Sequence, residues 1–264
     1  MLLWQQPVVI CCSSTGTTRV RRRGRNGAAV RCAAVPWAGE AGRMKAILFD
    51  CDGTLVDSER LGNEVLVEHV AEYGVSMTVR EAMALFRGGK MADCVAALEA
   101  RAGRAFPPSF VAELRRRTAG AFRERLRPMD GALALVRALS IPFCVASSGP
   151  REKIELSLSV TGLLPFFSGR IFSSYEVGVW KPDPGLFLHA AGALGVRPSD
   201  CIVVEDSGPG IAAGLAAGMT VVALQGELSE ERVPDGVRVV RSLSELHGIV
   251  QSADPLEIPR NEEI

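Results

Sequence analysis

The fold is decided by residues 44–54, MKAILFDCDGT. A short apolar run here is followed at once by Asp50, Asp52 and Gly53, and such runs bounded by turn-forming residues are typical of buried strands in a parallel sheet. Residues two apart on an extended chain point to the same side, so we expect both aspartates to project beyond the strand's carboxyl end. Gly53 permits the sharp turn that follows.

The same pattern recurs along the chain, where short apolar segments alternate with helical periodicity. Ser207 and Gly218 supply start and stop signals for one of the intervening helices. The predicted strands are Ala46 to Asp50, Phe143 to Ser147, Arg170 to Ser173, Cys201 to Glu205 and Thr220 to Leu224. This alternation predicts an α/β fold with a doubly wound parallel sheet.

One interval interrupts the alternation, because more than 90 residues separate the first predicted strand from the second. A loop of that length is improbable inside one sheet, and the interval has helical periodicity. We therefore predict a small helical domain at residues 61–126, inserted into a core formed by residues 44–60 and 127–250. Residues 251–264 are expected to form a C-terminal tail.

The first 43 residues have a different composition from the rest of the chain. They contain seven arginines, six of them within residues 1–39, where there is no acidic residue. They lack the long apolar segment of a secretory signal. We interpret residues 1–43 as a disordered organelle transit peptide, chloroplast being favoured by the sequence VRCAA at residues 30–34. A mitochondrial address, or a cytosolic protein that begins at Met44, remains open.

Composition excludes several classes of protein. The chain has 30 basic and 30 acidic residues, and removal of the six N-terminal arginines leaves 24 against 30, so a nucleic-acid partner is not expected. No stretch of about 18 uninterrupted apolar residues exists, so no membrane partner is expected. The seven cysteines are odd in number and lack paired CxxC spacing, which disfavours a disulfide framework or a zinc site.

Polar residues also follow the other predicted strands. Ser147 and Ser148 end the second strand, where a helix N-terminus would present N–H groups to an anion. Lys181 follows the third strand, and Glu205 and Asp206 end the fourth with oxygen donors suited to Mg²⁺. Ligands of open α/β sheets bind at this edge, so the pattern predicts a site for phosphate and magnesium.

These motifs together resemble the haloacid dehalogenase superfamily, and the helical insertion resembles its C1-type cap. Three segments, at residues 49–59, 148–150 and 180–184, resemble the bacterial 6-phosphogluconate phosphatases within this superfamily. The resemblance covers about residues 45–250. The motif residues that carry it are Asp50, Asp52, Gly53, Thr54, Ser147, Lys181, Pro182, Glu205 and Asp206.

The resemblance implies a phosphoric monoester hydrolase that acts on a small phosphorylated metabolite, a sugar or sugar-acid phosphate. Asp50 would attack phosphorus to form an aspartyl-phosphate, and Asp52 would act as general acid and then general base. The phosphate oxygens would be held by Thr54, Ser147, Ser148 and Lys181. The Mg²⁺ cofactor would be bound by Asp50, the Asp52 backbone carbonyl, Glu205 and Asp206. A monomer or weak homodimer is expected.

Basic residues in the inserted helical segment are candidates for substrate selection. Lys90 and Arg87 lie beside two glycines that permit close backbone approach, and the matching loop of related enzymes faces the active site. Arg117 belongs to a run of three arginines of which only part can point inward from one helix. A solvated surface is the competing interpretation for all three residues.

Three other functions are weighed against a phosphatase. A sugar phosphomutase shares every motif, but related mutases carry a histidine where this chain has Gly62. A halide-displacing dehalogenase has no use for Mg²⁺ or for a second carboxylate at Asp52. A catalytically silent phosphate-binding regulator would have lost a motif residue, and none is lost.

Overall fold

The computed structural model describes residues 44–86, 89–225 and 233–252, with side chains up to residue 247. The predicted transit peptide at residues 1–43, Arg87 and residues 253–264 of the predicted tail lie outside the described residues. Within the described ranges, no helix combines the length and the apolar character needed to cross a bilayer.

The described chain alternates between strands and helices. The strands are β1 (Ala46–Phe49), β2 (Phe143–Ser147), β3 (Ile171–Ser173), β4 (Cys201–Glu205), β5 (Thr220–Leu224) and β6 (Arg238–Val240). The helices are α1 (Glu59–Ala71), α2 (Val79–Phe86), α3 (Met91–Ala102), α4 (Phe110–Arg125), α5 (Ala132–Ala138), α6 (Arg151–Val160), α7 (Leu164–Phe167), α8 (Ser174–Val177), α9 (Gly185–Ala193), α10 (Gly208–Ala216) and α11 (Leu243–Ser252).

The strands form one parallel sheet in the order β3-β2-β1-β4-β5-β6. The central strand β1 pairs with both β2 and β4, Ile47 lying opposite Phe143 on one side and Ile202 on the other. Every residue of β1, β2 and β4 is buried, as expected for strands covered on both faces by helices. The predicted doubly wound α/β fold is confirmed.

Side chains alternate between two apolar layers. Leu48 and Val203 belong to a core shared with helices α9 and α10, where Phe187 and Ala213 are fully buried. The adjacent residue Phe49 points to the opposite face of the sheet. There it makes edge-to-face contacts with two further rings, those of Phe143 and Phe167.

Helices α1 to α4 pack around a separate apolar cluster that includes Val65, Leu98 and Phe110. We refer to these four helices as the cap. The two chain crossings that join the cap to the rest lie side by side, because the Asp57 N–H donates to the Arg127 carbonyl at 3.0 Å. A second hydrogen bond between the crossings follows immediately, from the Met129 N–H to the Leu55 carbonyl at 2.9 Å.

Candidate active site

A cavity of about 460 Å³ lies between the carboxyl ends of the strands and the cap. Its position follows from the topology, because β2, β1 and β4 are neighbours and the residues after them share one edge of the sheet. The polar residues from these strand ends and the following loops that line it are Asp50, Asp52, Ser147, Ser148, Lys181, Glu205 and Asp206.

Asp50, directly after β1, is buried beside Lys181. The Lys181 ammonium donates to Asp50 Oδ1 at 2.5 Å and to Glu205 Oε1 at 2.6 Å. Burial acts to lower the pKa of Lys181, but the two carboxylates raise it above its usual value, so this residue stays a cation. Lys181 is predicted from the sequence to hold phosphate, and in the structure it bridges two carboxylates at the cavity wall.

Glu205 is fixed by donors on both of its oxygens. In addition to Lys181 on Oε1, its Oε2 accepts hydrogen bonds at 2.9 Å from the N–H groups of Asp206 and Ser207 and from the Ser207 hydroxyl. Gly210, on the first turn of α10, leaves the space that the Glu205 carboxylate occupies, since a Cβ there would overlap it. The glycine is therefore required by a side chain of the site.

Asp52 is held from two directions. Its Oδ1 accepts from the Ser58 hydroxyl at 2.6 Å, and its Oδ2 accepts from the Lys153 ammonium at 2.8 Å. Burial acts to raise the pKa of Asp52, but the charge and hydrogen bond of Lys153, helped by Ser58, bring that pKa below its usual value. The carboxylate is thus ionised and oriented in the free protein.

The predicted phosphate-binding hydroxyls are buried or half-buried at the same edge. Ser147 Oγ accepts from the Gly149 N–H at 3.1 Å, and Ser148 lines the cavity one residue further along. Thr54 is fully buried and donates to Asp206 Oδ1 at 3.0 Å. The structure therefore places the Thr54 hydroxyl on a carboxylate of the site.

Three carboxylates are close enough to share a cation. Oxygens of Asp50, Glu205 and Asp206 lie within 4.8 Å of one another, and such oxygen donors suit Mg²⁺ or a similar divalent ion. Burial raises the pKa of Asp50 well above its usual value; Lys181 opposes that rise, and Glu205, Asp206 and Asp52 add to it. Lys181 binds Asp50 and Glu205, and Lys153 binds Asp52, while the clustered oxygens of Asp50, Glu205 and Asp206 suit a divalent cation, so the residues present fit a bound Mg²⁺.

Two of the three predicted cap residues, Lys90 and Arg117, have different surroundings. Lys90 lines the cavity with its ammonium 5.3 Å from the ring centroid of Trp180. Arg117 instead forms salt bridges with Glu72 at 2.5 Å and Glu113 at 2.9 Å within the cap. Arg87 lies outside the described residues.

Two contacts of Asp52 were not anticipated from the sequence. Lys153 lies on the first turn of α6, shortly after the predicted Ser147-Ser148-Gly149 segment. This proximity in sequence is the signal by which a contact with the site could have been predicted. Ser58 precedes α1, and the hydroxyl type alone does not distinguish it from an ordinary helix cap. Arg115 also lines the cavity and donates to the Tyr175 hydroxyl at 3.1 Å.

Comparisons with known proteins agree with this arrangement. Residues 44–218 match the family model of haloacid dehalogenase-like hydrolases. The chain is 36% identical over 180 residues to the 6-phosphogluconate phosphatase of Escherichia coli K12, covering 68% of this chain and 81% of that protein. It is 31% identical over 203 residues to the chloroplastic protein SUPPRESSOR OF QUENCHING 1 of Arabidopsis thaliana, covering 74% of this chain and 19% of that protein.

A solved structure shows the same fold. The haloacid dehalogenase family hydrolase of Deinococcus radiodurans, crystallised with phosphate and sodium, matches with a TM-score of 0.66 and 32% identity. The match covers 80% of this chain and 97% of that one. The expected class of enzyme, a phosphoric monoester hydrolase, is confirmed, and the chain belongs to the family of haloacid dehalogenase-like hydrolases.

Proposed function

We propose that the chain is a Mg²⁺-dependent phosphatase that hydrolyses a sugar or sugar-acid phosphate through an aspartyl-phosphate on Asp50. The observation that carries the proposal is the meeting of two differently held carboxylates in one cavity. Asp50 is paired with the buried cation Lys181, whereas Asp52 is turned toward Ser58 and Lys153. Carboxylates in separate environments suit separate roles, one as nucleophile and one as acid and base.

In the first step, an Asp50 oxygen forms a bond to phosphorus while the bond from phosphorus to the leaving oxygen breaks. Asp52, which takes up a proton as the phosphate dianion binds beside it, gives that proton to the leaving oxygen, and the alcohol departs. In the second step Asp52 takes a proton from water, which attacks phosphorus and displaces Asp50, and inorganic phosphate leaves. Lys181, Ser147 and nearby backbone N–H groups hold the phosphate oxygens throughout, since positioning and electrostatics supply most of the rate of phosphoryl transfer.

The proposed Mg²⁺ would be held by the carboxylates of Asp50 and Asp206 and the Asp52 backbone carbonyl. Glu205 would support it through the backbone of Asp206, to which it is hydrogen-bonded. When bound, the ion would offset the repulsion between a phosphate dianion and the anionic site. Thr54 would orient Asp206 for this role through its hydrogen bond to Oδ1.

The substrate class is proposed from the cap. The Lys90 ammonium lies at the cavity wall, where it would bind a carboxylate or a second anionic group of the substrate. The Trp180 ring beside it limits the positions that this ammonium can adopt. A cavity covered by the cap favours a small phosphate ester over a phosphoprotein. The similarity to a 6-phosphogluconate phosphatase supports sugar acids as the first class to test.

Transfer of the phosphoryl group to water, as opposed to a second sugar hydroxyl, is supported by Gly62. This residue lines the cavity, and among the described residues no heavy atom beyond its chain neighbours and its own helix backbone lies within 4 Å of the place where its Cβ would be. The position that carries histidine in related mutases therefore supplies no acid or base here. A plastid location is proposed from the arginine-rich residues 1–43 and the similarity to a chloroplastic relative.

The test is phosphate release from a broad panel of phosphorylated metabolites, with Mg²⁺ and with excess chelator. We expect magnesium-dependent release, greatest from sugar-acid or sugar phosphates. Preference for another ester would retain the chemistry and reject the substrate class. No release from any ester by folded protein would reject the phosphatase.

A further inference from the structure

We infer that Lys153 is a positioning residue that holds the Asp52 carboxylate for proton transfer to the leaving oxygen and ties that orientation to the cap. The inference rests on the proposed function, because it assigns Asp52 the transfer of a proton. Lys153 is not one of the motif residues of the site. It lies on the first turn of α6, outside the cap.

The charge distribution explains why Asp52 needs a cation of its own. Lys181 serves Asp50 and Glu205, to which it is hydrogen-bonded at 2.5 Å and 2.6 Å. Lys181 also attracts Asp52, but less strongly than Lys153 does, so without Lys153 the repulsion from these anions would favour a rotamer turned away from the phosphate site. Lys153 supplies a hydrogen-bonded positive charge at 2.8 Å from Asp52 Oδ2.

The geometry of the two donors fixes the plane of the carboxylate. One hydrogen bond leaves an aspartate free to turn, because its terminal torsion has a broad energy minimum. Ser58 on Oδ1 and Lys153 on Oδ2 approach from different segments of the chain and together restrict that torsion. The stem of Lys153 runs alongside Gly149, with its Cδ 3.7 Å from the place that a Cβ on this glycine would occupy.

Lys153 also contacts an aromatic ring of the cap. The ammonium lies 5.8 Å from the ring centroid of Phe122 on cap helix α4, within the range of a cation–π contact. Phe122 is buried, so the packing around it holds its ring in place. Ser58 directly precedes cap helix α1. Both partners of Asp52 are therefore in contact with the cap or adjoin it, and a properly seated cap aligns the carboxylate.

The test compares two leaving groups in the full chain. An alkyl phosphate requires a proton on its leaving oxygen, whereas p-nitrophenyl phosphate releases an anion that is stable without one. We expect Lys153→Met to lower kcat/KM for the alkyl ester about 30-fold or more and for p-nitrophenyl phosphate less than about 3-fold, since general acid catalysis is worth about 10²–10⁴-fold. Lys153→Arg should recover most of the loss. Lys45→Met is the matched control at a salt-bridged lysine at the opposite end of β1.

Inorganic phosphate distinguishes positioning from direct binding of substrate. If Lys153 acts through Asp52, the inhibition constant for phosphate stays within about 3-fold of wild type in the Met variant. Equal losses on both esters, or a tenfold weaker inhibition by phosphate, would overturn the inference. Phe122→Leu provides a second variant in case Lys153→Met does not fold. We expect its kcat/KM to fall for the alkyl ester and not for p-nitrophenyl phosphate. If kcat/KM for the two esters changes by the same factor, the link between Lys153 and the cap is rejected.

Failure of this inference and failure of the proposed function have different signatures. A wild-type chain that hydrolyses neither ester rejects the proposed function itself. A wild-type chain that is active, with Asp52→Asn impaired on the alkyl ester and Lys153→Met unimpaired, rejects only the role of Lys153.

Discussion

Replacement of Gly210 by alanine tests whether the site depends on a residue that does not line the cavity. The added Cβ would overlap the Glu205 carboxylate, which must then move away from its donors. Two of those donors are backbone N–H groups, those of Asp206 and Ser207 at 2.9 Å, and each buried N–H left unpaired costs about 1–3 kcal/mol. The higher helix propensity of alanine returns about 1 kcal/mol, so we expect a net loss of about 3 kcal/mol in the free energy of unfolding.

The same movement should affect turnover, because Glu205 also accepts from Lys181 at 2.6 Å. A displacement of about 1 Å in a positioned group can cost about 10²-fold in rate, and we expect kcat/KM of Gly210→Ala to fall by about that factor. The assays are urea unfolding followed by circular dichroism and steady-state phosphate release with the best ester of the panel.

Two other glycines provide matched controls. Gly214 lies on the same helix, and its Cβ would meet Val221 at 2.8 Å and Val203 at 3.3 Å in the apolar core. Gly214→Ala should therefore lose stability to overpacking, about 1–3 kcal/mol, and keep its kcat/KM. Gly192 on α9 has open space, so alanine there should be neutral or slightly stabilising. Gly210→Ala that keeps full activity, or that loses no more activity than Gly214→Ala, would refute the reasoning.

Asp50→Asn should abolish turnover, by about 10⁴-fold or more, with an unchanged urea midpoint; residual phosphatase activity would remove Asp50 from the mechanism. Lys90→Ala should raise KM about 10-fold for substrates with a second anionic group and leave p-nitrophenyl phosphate unaffected, and an unchanged panel profile would contradict that role. Hydrogen bonds from Arg116 and Arg117 lower the pKa of Glu113 from 4.5 to about 2. The stability that Glu113 contributes is therefore complete above pH 4.5 and lost as the pH falls toward 2. Glu113→Gln should lower Tm at pH 7 and match wild type near pH 2, and equal differences at both values would argue against the ion pairs.

The sheet could be predicted from the sequence because its strands are fully buried. Cys201–Glu205 and Thr220–Leu224 have the predicted bounds, since unbroken apolar runs end at polar or turn residues. The short edge strand Arg238–Val240 was missed, because it has three residues and one of them is exposed. A strand with so few buried side chains leaves too little pattern to recognise.

The site was predicted in its residue types more than in its contacts. Asp50 and Asp52 lie at the expected edge, because the strand period and the topology determine their place. The pairing of Asp52 with Lys153 was not predicted, since it joins segments 101 residues apart and needs the register of α6 on the sheet. Arg117 is a candidate for substrate contact on sequence grounds, with a solvated surface as the competing interpretation. The partners that hold it, Glu72 and Glu113, become visible only once the cap helices are packed.

The paired crossings between the sheet and the cap have a consequence for how such enzymes diversify. Asp57 and Arg127 are hydrogen-bonded neighbours although they are 70 positions apart in the sequence. The cap helices between them are therefore joined to the rest of the protein at two adjacent points. A cap of different length or shape could be inserted between these two points without altering the register of β1, because the distance between Asp57 and Arg127 would stay the same. Chimeras joined at Asp57 and Arg127 would therefore exchange the cap helices while keeping the carboxylates at the sheet edge in place.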